Sequence, residues 1–299
     1  MSERLFVIIN PAAGGGRCGQ LAPAALERVR GCGIELEIAQ TTHPGEATSL
    51  ARSAYARGVR NFLAVGGDGT SFEILNGIFP EALSAGRPVL GFLPVGRGNS
   101  FLSDFTTTGL EYSIEALRKG SRRACDVIRL RHAGGDLYYI NMLNLGFAAD
   151  AGETANRKFK RWGKTSYVLG VMARLASLEF QAFPHRLDGG EWDRRICLFL
   201  AFGNTKFTGG NMMIAPHADA SDGLIEYVRC SPLGRSRLLW NFPRLFTGTY
   251  IRHPLASRAP TKHVEFDLRE PVNVIVDGEI MRLECRSLDV LPGALDVVV

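Results

Sequence analysis

The sequence predicts an α/β plus all-β chain: an N-terminal Rossmann-like domain with a parallel sheet, followed by a C-terminal antiparallel β-sandwich. Three observations predict it. Up to about residue 126 short apolar runs alternate with helical stretches, whereas beyond it short β-branched or aromatic segments are punctuated by turns. The 299 residues, 45% of them hydrophobic, are enough for two cores, since single domains usually stop near ~100–200 residues. The change of period sets the boundary: residues 1–128 form the first domain and 129–299 the second, with the last residues candidates to return to the first.

The elements follow in order. Residues 5–9 (LFVII) read as a buried strand, 21–30 as an amphipathic helix and 34–39 as a second strand. A helix over 46–57, a strand at 62–65 (FLAV), a helix starting near Thr70 and a strand over 89–93 complete the first half. Strands that are apolar throughout and separated by helices belong to a parallel sheet covered on both faces. After Asp126 come VIRLR, the turn HAGGD and LYYINMLNLGF, then ICLFLAF, LIEYV, HVEFDL, VNVIV and MRLECRSLDVL. Hairpin-like spacing without regular intervening helices points to antiparallel pairing. Two helical interruptions, 158–178 and 235–246, break it.

Composition narrows the function. The 22% charged residues place the chain in the globular range. Its six cysteines are scattered with no Cys-x-x-Cys pair, which argues against structural zinc and a disulfide framework and favours a reducing, cytoplasmic setting. The first apolar run is too short for a signal sequence, and no window reaches ~18 apolar residues.

The strongest local signal is Gly66-Gly67-Asp68-Gly69-Thr70, directly after a strand and before a helix. Glycines let a backbone turn tightly and approach a phosphate, and the amides at the helix start face the anion. Asp68 would repel phosphate unless a metal or proton intervenes, so it suggests Mg²⁺-phosphate contact or general-base work; a tight turn with Asp68 as a helix cap is the plainer alternative. Two further loops, Asn10-Pro11-Ala12-Ala13-Gly14-Gly15-Gly16-Arg17 and Leu93-Pro94-Val95-Gly96-Arg97-Gly98-Asn99-Ser100, follow other strands. Open α/β sheets place ligands at such strand ends. Neither a Walker sequence nor a Gly-x-Gly-x-x-Gly fingerprint is present.

NPAAGGGR, GGDGT with Glu73 beyond it, LPVGRGNSF, the Cys125-Asp126-Val127 step, NMLNLGF, Asp222-Gly223-Leu224 and Val276-Asp277-Gly278-Glu279 together resemble the diacylglycerol kinase catalytic-domain family, which includes bacterial lipid kinases and sphingosine and ceramide kinases. The resemblance implies a nucleotide-binding α/β domain and a β-sandwich with the active site in the cleft between them. It implies ATP as co-substrate and Mg²⁺. Asn10, Thr41, Gly67, Asp68, Gly69, Thr70, Glu73, Gly96, Arg97 and Asn99 would serve the nucleotide, although Thr41 could equally be a helix-capping residue. Glu279 resembles the family's proton acceptor, with Asp277 and Asp68 as rivals; an Asp-Gly hairpin turn alone would explain the last motif. Asp219, Asp222 and the Leu224 carbonyl look like a structural Mg²⁺ loop, against the alternative of a plain turn, and Asp126 matches an Asp of the active-site magnesium network. Arg97 and Ser100 stand where the family often has Thr and Asp, and Phe72 where many relatives carry Asn. Arg97 could clamp phosphate bidentately.

Charge is unevenly placed. Residues 154–178 hold six basic and no acidic residues, and 227–264 hold seven and none, although the whole chain is only +5. Both stretches carry aromatics, among them Phe159, Trp162, Trp240, Phe242 and Phe246. That mixture suits an anionic membrane interface, and it could also serve single-stranded nucleic acid or be an ordinary solvated face. The expected function is phosphorylation of a diacylglycerol-like or sphingoid lipid by a cytoplasmic, peripherally membrane-associated enzyme, with the membrane lipid as partner rather than nucleic acid and a homodimer left open. The alternatives are an NAD kinase-like enzyme and a non-catalytic nucleotide or lipid sensor that retains the fold.

Overall fold

A computed structural model of the chain describes residues 4–96, 98–146, 180–209 and 211–299. The chain divides into two compact units, Met1–Val127 with Pro292–Val299, and Ile128–Leu291.

In the first unit β1 (Arg4–Ile9), α1 (Arg17–Arg30), β2 (Glu35–Gln40), α2 (Glu46–Ala56), β3 (Asn61–Val65), α3 (Asp68–Ile78), β4 (Val89–Leu93) and α4 (Leu110–Lys119) alternate. The strands form a parallel sheet in the order β2-β1-β3-β4, extended beside β4 by Asp296–Val298 at the end of the chain. Val7, Ile8, Leu63, Val65, Leu90 and Leu93 are all 0% exposed, as continuous apolar strands between two helical layers must be. α1 and α4 share one core with Leu5, Val7, Ile9 and Val65, while α2 packs on α3.

Two helices differ from expectation. α1 begins at Arg17, directly after Gly16 in the left-handed region, and runs through Pro23; burial of Cys18, Ala22, Ala25, Leu26 and Val29 along one side outweighs the lost hydrogen bond. α4 was not read from the sequence at all. It buries Ser113, Ile114, Ala116 and Leu117 and is closed by left-handed Gly120, whose N–H donates to Ala116 and Leu117 carbonyls.

The second unit is an antiparallel sandwich. β5 (Arg122–His132) carries the chain into it and pairs with β6 (Gly135–Tyr139). β7 (Met142–Gly146) lies inside a six-stranded sheet in the order Ala256–Thr261, Ile225–Cys230, Phe199–Gly203, β7, Val272–Val276, Glu279–Leu283. A second antiparallel layer joins Cys285–Val298, His263–Phe266 and His185–Leu187. The layers meet at Phe202, whose ring lies 5.4 Å from Phe266 and 6.2 Å from His185, and whose carbonyl accepts from the Tyr139 hydroxyl.

The helix expected over 235–246 is two short ones, α5 (Arg235–Asn241) and α6 (Arg244–Thr247), separated at Pro243, which has no N–H to donate. The helix expected over 158–178 lies outside the described residues. All six cysteines are free thiols. Among the described residues no helix is long and apolar enough to cross a membrane.

Candidate functional site

Because β1, β3 and β4 are parallel neighbours, the loops that follow them emerge at one sheet edge. The edge is also the switch point: from β1 the chain moves outward to β2 and then back past β1 to β3. Main-chain bonds knit the loops together. Asn10 N donates to the Val65 carbonyl (3.0 Å), Gly66 N to Leu93 (3.2 Å), Gly96 N to Gly66 (2.9 Å) and Asp68 N to Gly98 (3.2 Å). A Cβ on Gly67 would lie 2.7 Å from the Gly98 oxygen, and one on Gly96 would lie 2.9 Å from the Gly66 backbone, so no side chain fits at either position. At Gly14 it would lie 3.5 Å from Gly96, which brings the first loop to the same place.

Asp68 opens α3, yet its carboxylate turns to the third loop. Its Oδ2 accepts from the Ser100 amide at 2.8 Å and its Oδ1 from the Phe101 amide at 3.4 Å. Burial raises the Asp68 carboxyl above its ordinary range, opposed by those amides and the Ser100 hydroxyl. Asp68 is therefore a clasp between two loops, a role that its sequence reading as metal contact or base did not include. Thr70 Oγ1 is buried with no hydrogen-bond partner among the described residues. Gly67, Asp68, Ser71, Asn99 and Phe101 line a pocket beside the loops. Arg97 lies outside the described residues.

Thr41 does not cap α2. Its amide and hydroxyl both donate to the Ile9 carbonyl, at 2.9 and 3.4 Å. The amides at the start of α2 are met by Glu73, whose Oε1 accepts from Gly45 N at 3.0 Å and Oε2 from Ala47 N at 3.1 Å. Glu73 thus fixes the Thr41-to-Ala47 loop through both carboxylate oxygens.

In the second unit, Val276 and Glu279 pair across a hairpin whose two central residues, Asp277 (φ 47) and Gly278 (φ 87), have positive φ, as a type I′ turn requires. Asp277 is 3% exposed. Its Oδ1 accepts from Asn141 N and Met142 N, both at 2.9 Å, and its Oδ2 from Ile140 N at 3.0 Å. Two of the three candidates for the proton acceptor thereby differ: Asp277 is engaged with three amides, whereas Glu279 is exposed. Around this turn lie Asn141, Asn204 and Thr205, all buried; Asn204 Nδ2 donates to the Ile140 carbonyl at 2.8 Å and Thr205 Oγ1 to Asn141 Oδ1. The sequence reading missed all three. The polar GNT directly after an apolar strand was the available signal.

The residues read as magnesium ligands fall in two places, Asp126 in the first unit and the Asp219-to-Leu224 turn in the second. Asp126, 1% exposed, accepts from Gly293 N at 2.7 Å and so ties the returning end of the chain into the first unit. Asp219 Oδ1 accepts from the Ser221 amide (3.0 Å) and hydroxyl (2.7 Å), and Asp222 Oδ1 from the Leu224 amide (2.9 Å). Among the described residues no three His, Cys, Asp or Glu side chains form a metal cluster. The Asp219-to-Leu224 turn still offers only hard oxygen donors, which fits an ion that takes one or two carboxylates and keeps its waters.

A doubly wound parallel unit with three glycine loops at its switch point defines the nucleotide-type α/β class, here continued by an antiparallel sandwich. The chain belongs to the diacylglycerol kinase and YegS-like lipid kinase family: residues 4–130 match the diacylglycerol kinase catalytic domain, and residues 141–299 match the YegS C-terminal NAD kinase beta sandwich-like domain. A Mycobacterium tuberculosis (strain CDC 1551 / Oshkosh) protein named "Diacylglycerol kinase" is 28% identical over 302 residues, covering 99% of this chain and 94% of that protein. A Chromohalobacter salexigens protein named "Probable lipid kinase YegS-like" is 33% identical over 284 residues, covering 91% of this chain and 86% of the relative. A crystal structure of a diacylglycerol kinase from Bacillus anthracis str. Sterne matches with a TM-score of 0.71 at 19% identity, over 99% of this chain and 96% of that one, a likeness of fold.

Proposed function

We propose that this lipid-kinase family member transfers the γ-phosphate of ATP to a hydroxyl of a diacylglycerol-like or sphingoid lipid. The observation that carries the reading is the convergence of the three glycine loops, with side chains excluded at Gly67 and Gly96 and the α3 N-terminus beside them. Such an edge presents backbone amides to an anion at close range, as a triphosphate needs. Phosphoryl transfer asks little more of a protein than alignment, charge neutralisation and removal of one proton.

Glu279 is the proton acceptor in this reading. The lipid hydroxyl oxygen bonds to the γ-phosphorus, the bond to the ADP oxygen breaks, and the hydroxyl proton passes to the Glu279 carboxylate and on to solvent. Its exposure suits that return. Asp277 holds the turn, and Asp68 and Glu73 hold the loops. Mg²⁺, when bound with the nucleotide, supplies charge neutralisation at the phosphate oxygens; the Asp219-to-Leu224 turn is the place where this chain would hold a second, structural ion.

Incubation with γ-labelled ATP and Mg²⁺ across NAD and vesicles of diacylglycerol, monoacylglycerol, sphingosine, ceramide and phosphatidylglycerol tests the proposal. Label in one of these lipids is expected; label in NAD alone would move the chain to the NAD kinase reading. A second reading, a nucleotide or lipid sensor, is motivated by Arg97 and Ser100, which stand where the family resemblance leads one to expect Thr and Asp. Nucleotide binding without transfer to any lipid would favour it.

A further inference from the structure

The segment from Gly234 to Arg252 is built with two opposite characters. Leu233, Leu238 and Tyr250 are buried in one core cluster with Met142, Phe199 and Val228, and Phe242, Leu245 and Ile251 pack against it. The Tyr250 hydroxyl donates to the Ile214 carbonyl, and a Cβ on Gly248 would lie 2.7 Å from Met213 Sδ, so the segment sits tightly on the sandwich. Its other side is apolar in the open: Trp240 is 86% exposed, Leu239 47% and Phe246 43%. Burying most of one side chain set in a core while leaving a tryptophan and its neighbours in water is costly without a partner.

The charge along the segment itself is of one sign. Arg237, Arg244 and Arg252 are exposed, and none of them is in an ion pair with a described residue, while the sequence from 227 to 264 contains no acidic residue. The structure also refines the sequence reading of this stretch. Arg229 is buried beside Asp193 at 3.7 Å, and Arg258, though exposed, is paired with Glu226, so the charges of these two are engaged by acids of the sandwich.

We infer that the α5–α6 segment is a membrane-docking wedge, in which Leu239, Trp240 and Phe246 enter the acyl boundary of an anionic lipid surface while Arg237, Arg244 and Arg252 meet its headgroups. The inference rests on the lipid-kinase reading for its biological sense, but not for its test. Charge selects the occupant. A second copy seated on the same face across a two-fold axis would bring arginines against arginines with no acid to pair them. A nucleic acid would satisfy the arginines but gives Leu239 nothing to enter, whereas an anionic bilayer satisfies both sets at once.

The test uses the full chain and vesicles of phosphatidylcholine with or without phosphatidylglycerol. In a W162F/W192F background Trp240 is the remaining tryptophan, and brominated acyl chains should quench it when phosphatidylglycerol is present. Leu239→Ser/Trp240→Ser/Phe246→Ser and, separately, Arg237→Gln/Arg244→Gln/Arg252→Gln should each weaken vesicle binding by roughly tenfold or more, with unchanged thermal unfolding and unchanged transfer to a detergent-dispersed lipid. Two variants of opposite chemistry keep the result readable if one misfolds. Unquenched Trp240 on bound vesicles, binding unaffected by both variants, concentration-dependent dimerisation lost in the apolar variant, or tighter binding to single-stranded RNA than to anionic vesicles would each overturn the proposal. Binding is scored without turnover, so an inactive kinase that still docks separates failure of the lipid-kinase reading from failure of the wedge.

Discussion

In the first unit the Asp68 carboxylate ties the second glycine loop to the third, beside bonds that run from main chain to main chain. In the second unit Asp277 gathers three amides of a neighbouring turn onto one buried carboxylate. The first region spends its glycines on leaving room, and its acid merely closes the loops around it. The second spends its acid on rigidity, and Glu279 two residues on is exposed. The difference teaches that an acidic residue in a motif can be a structural pin, and that burial and amide partners mark Asp68 and Asp277 as such.

The largest expected effect breaks the second region. Asp277→Ala removes a buried acceptor from three N–H groups and should cost about 4 kcal/mol in chemical unfolding, whereas Glu279→Ala should stay within about 0.5 kcal/mol of wild type. Next, Gly96→Ala forces a methyl against the Gly66 backbone; unfolding should lose about 2 kcal/mol and ATP affinity, by equilibrium dialysis, should fall at least about tenfold. If Gly96→Ala binds ATP normally, the loops are not the nucleotide site. Asp68→Asn presents a donor to one of two amide donors, and a cost of about 1–2 kcal/mol is expected with a weaker loss of ATP affinity than at Gly96.

The smallest effect depends on pH. Hydrogen bonds from the Arg195 side chain, helped by its amide, hold Asp193 down at about 2 from 3.8. A depressed carboxyl contributes in full above its unfolded value and loses that contribution as pH falls toward its folded value. Asp193→Asn should therefore be about 1–2 kcal/mol less stable than wild type at pH 6, and the gap should close between pH 4 and pH 2. A gap that stayed constant over that range would remove Arg195 as the cause.

Much of the first unit could be read directly, because buried parallel strands are apolar without interruption and the glycine loops follow them immediately. α4 was missed although Ile114 and Leu117 lie on one side of it; the irregular stretch after Ser100 hid its start. The pins could not be read. Asp68 meets Ser100 across 32 residues, Asp277 meets Asn141 across 136 and Asp126 meets Gly293 across 167, and such partners are set by sheet order rather than local pattern. The same holds for Arg229 and Arg258, which sequence placed on a basic face and the sandwich placed inside or against it.

The most direct measurement is a single-turnover transfer from γ-labelled ATP to the accepted lipid by Glu279→Gln, with ATP affinity measured on the same preparation. The account predicts affinity within about twofold of wild type and transfer slowed at least about 100-fold. Transfer at the wild-type rate, or loss of ATP binding in place of transfer, would contradict it.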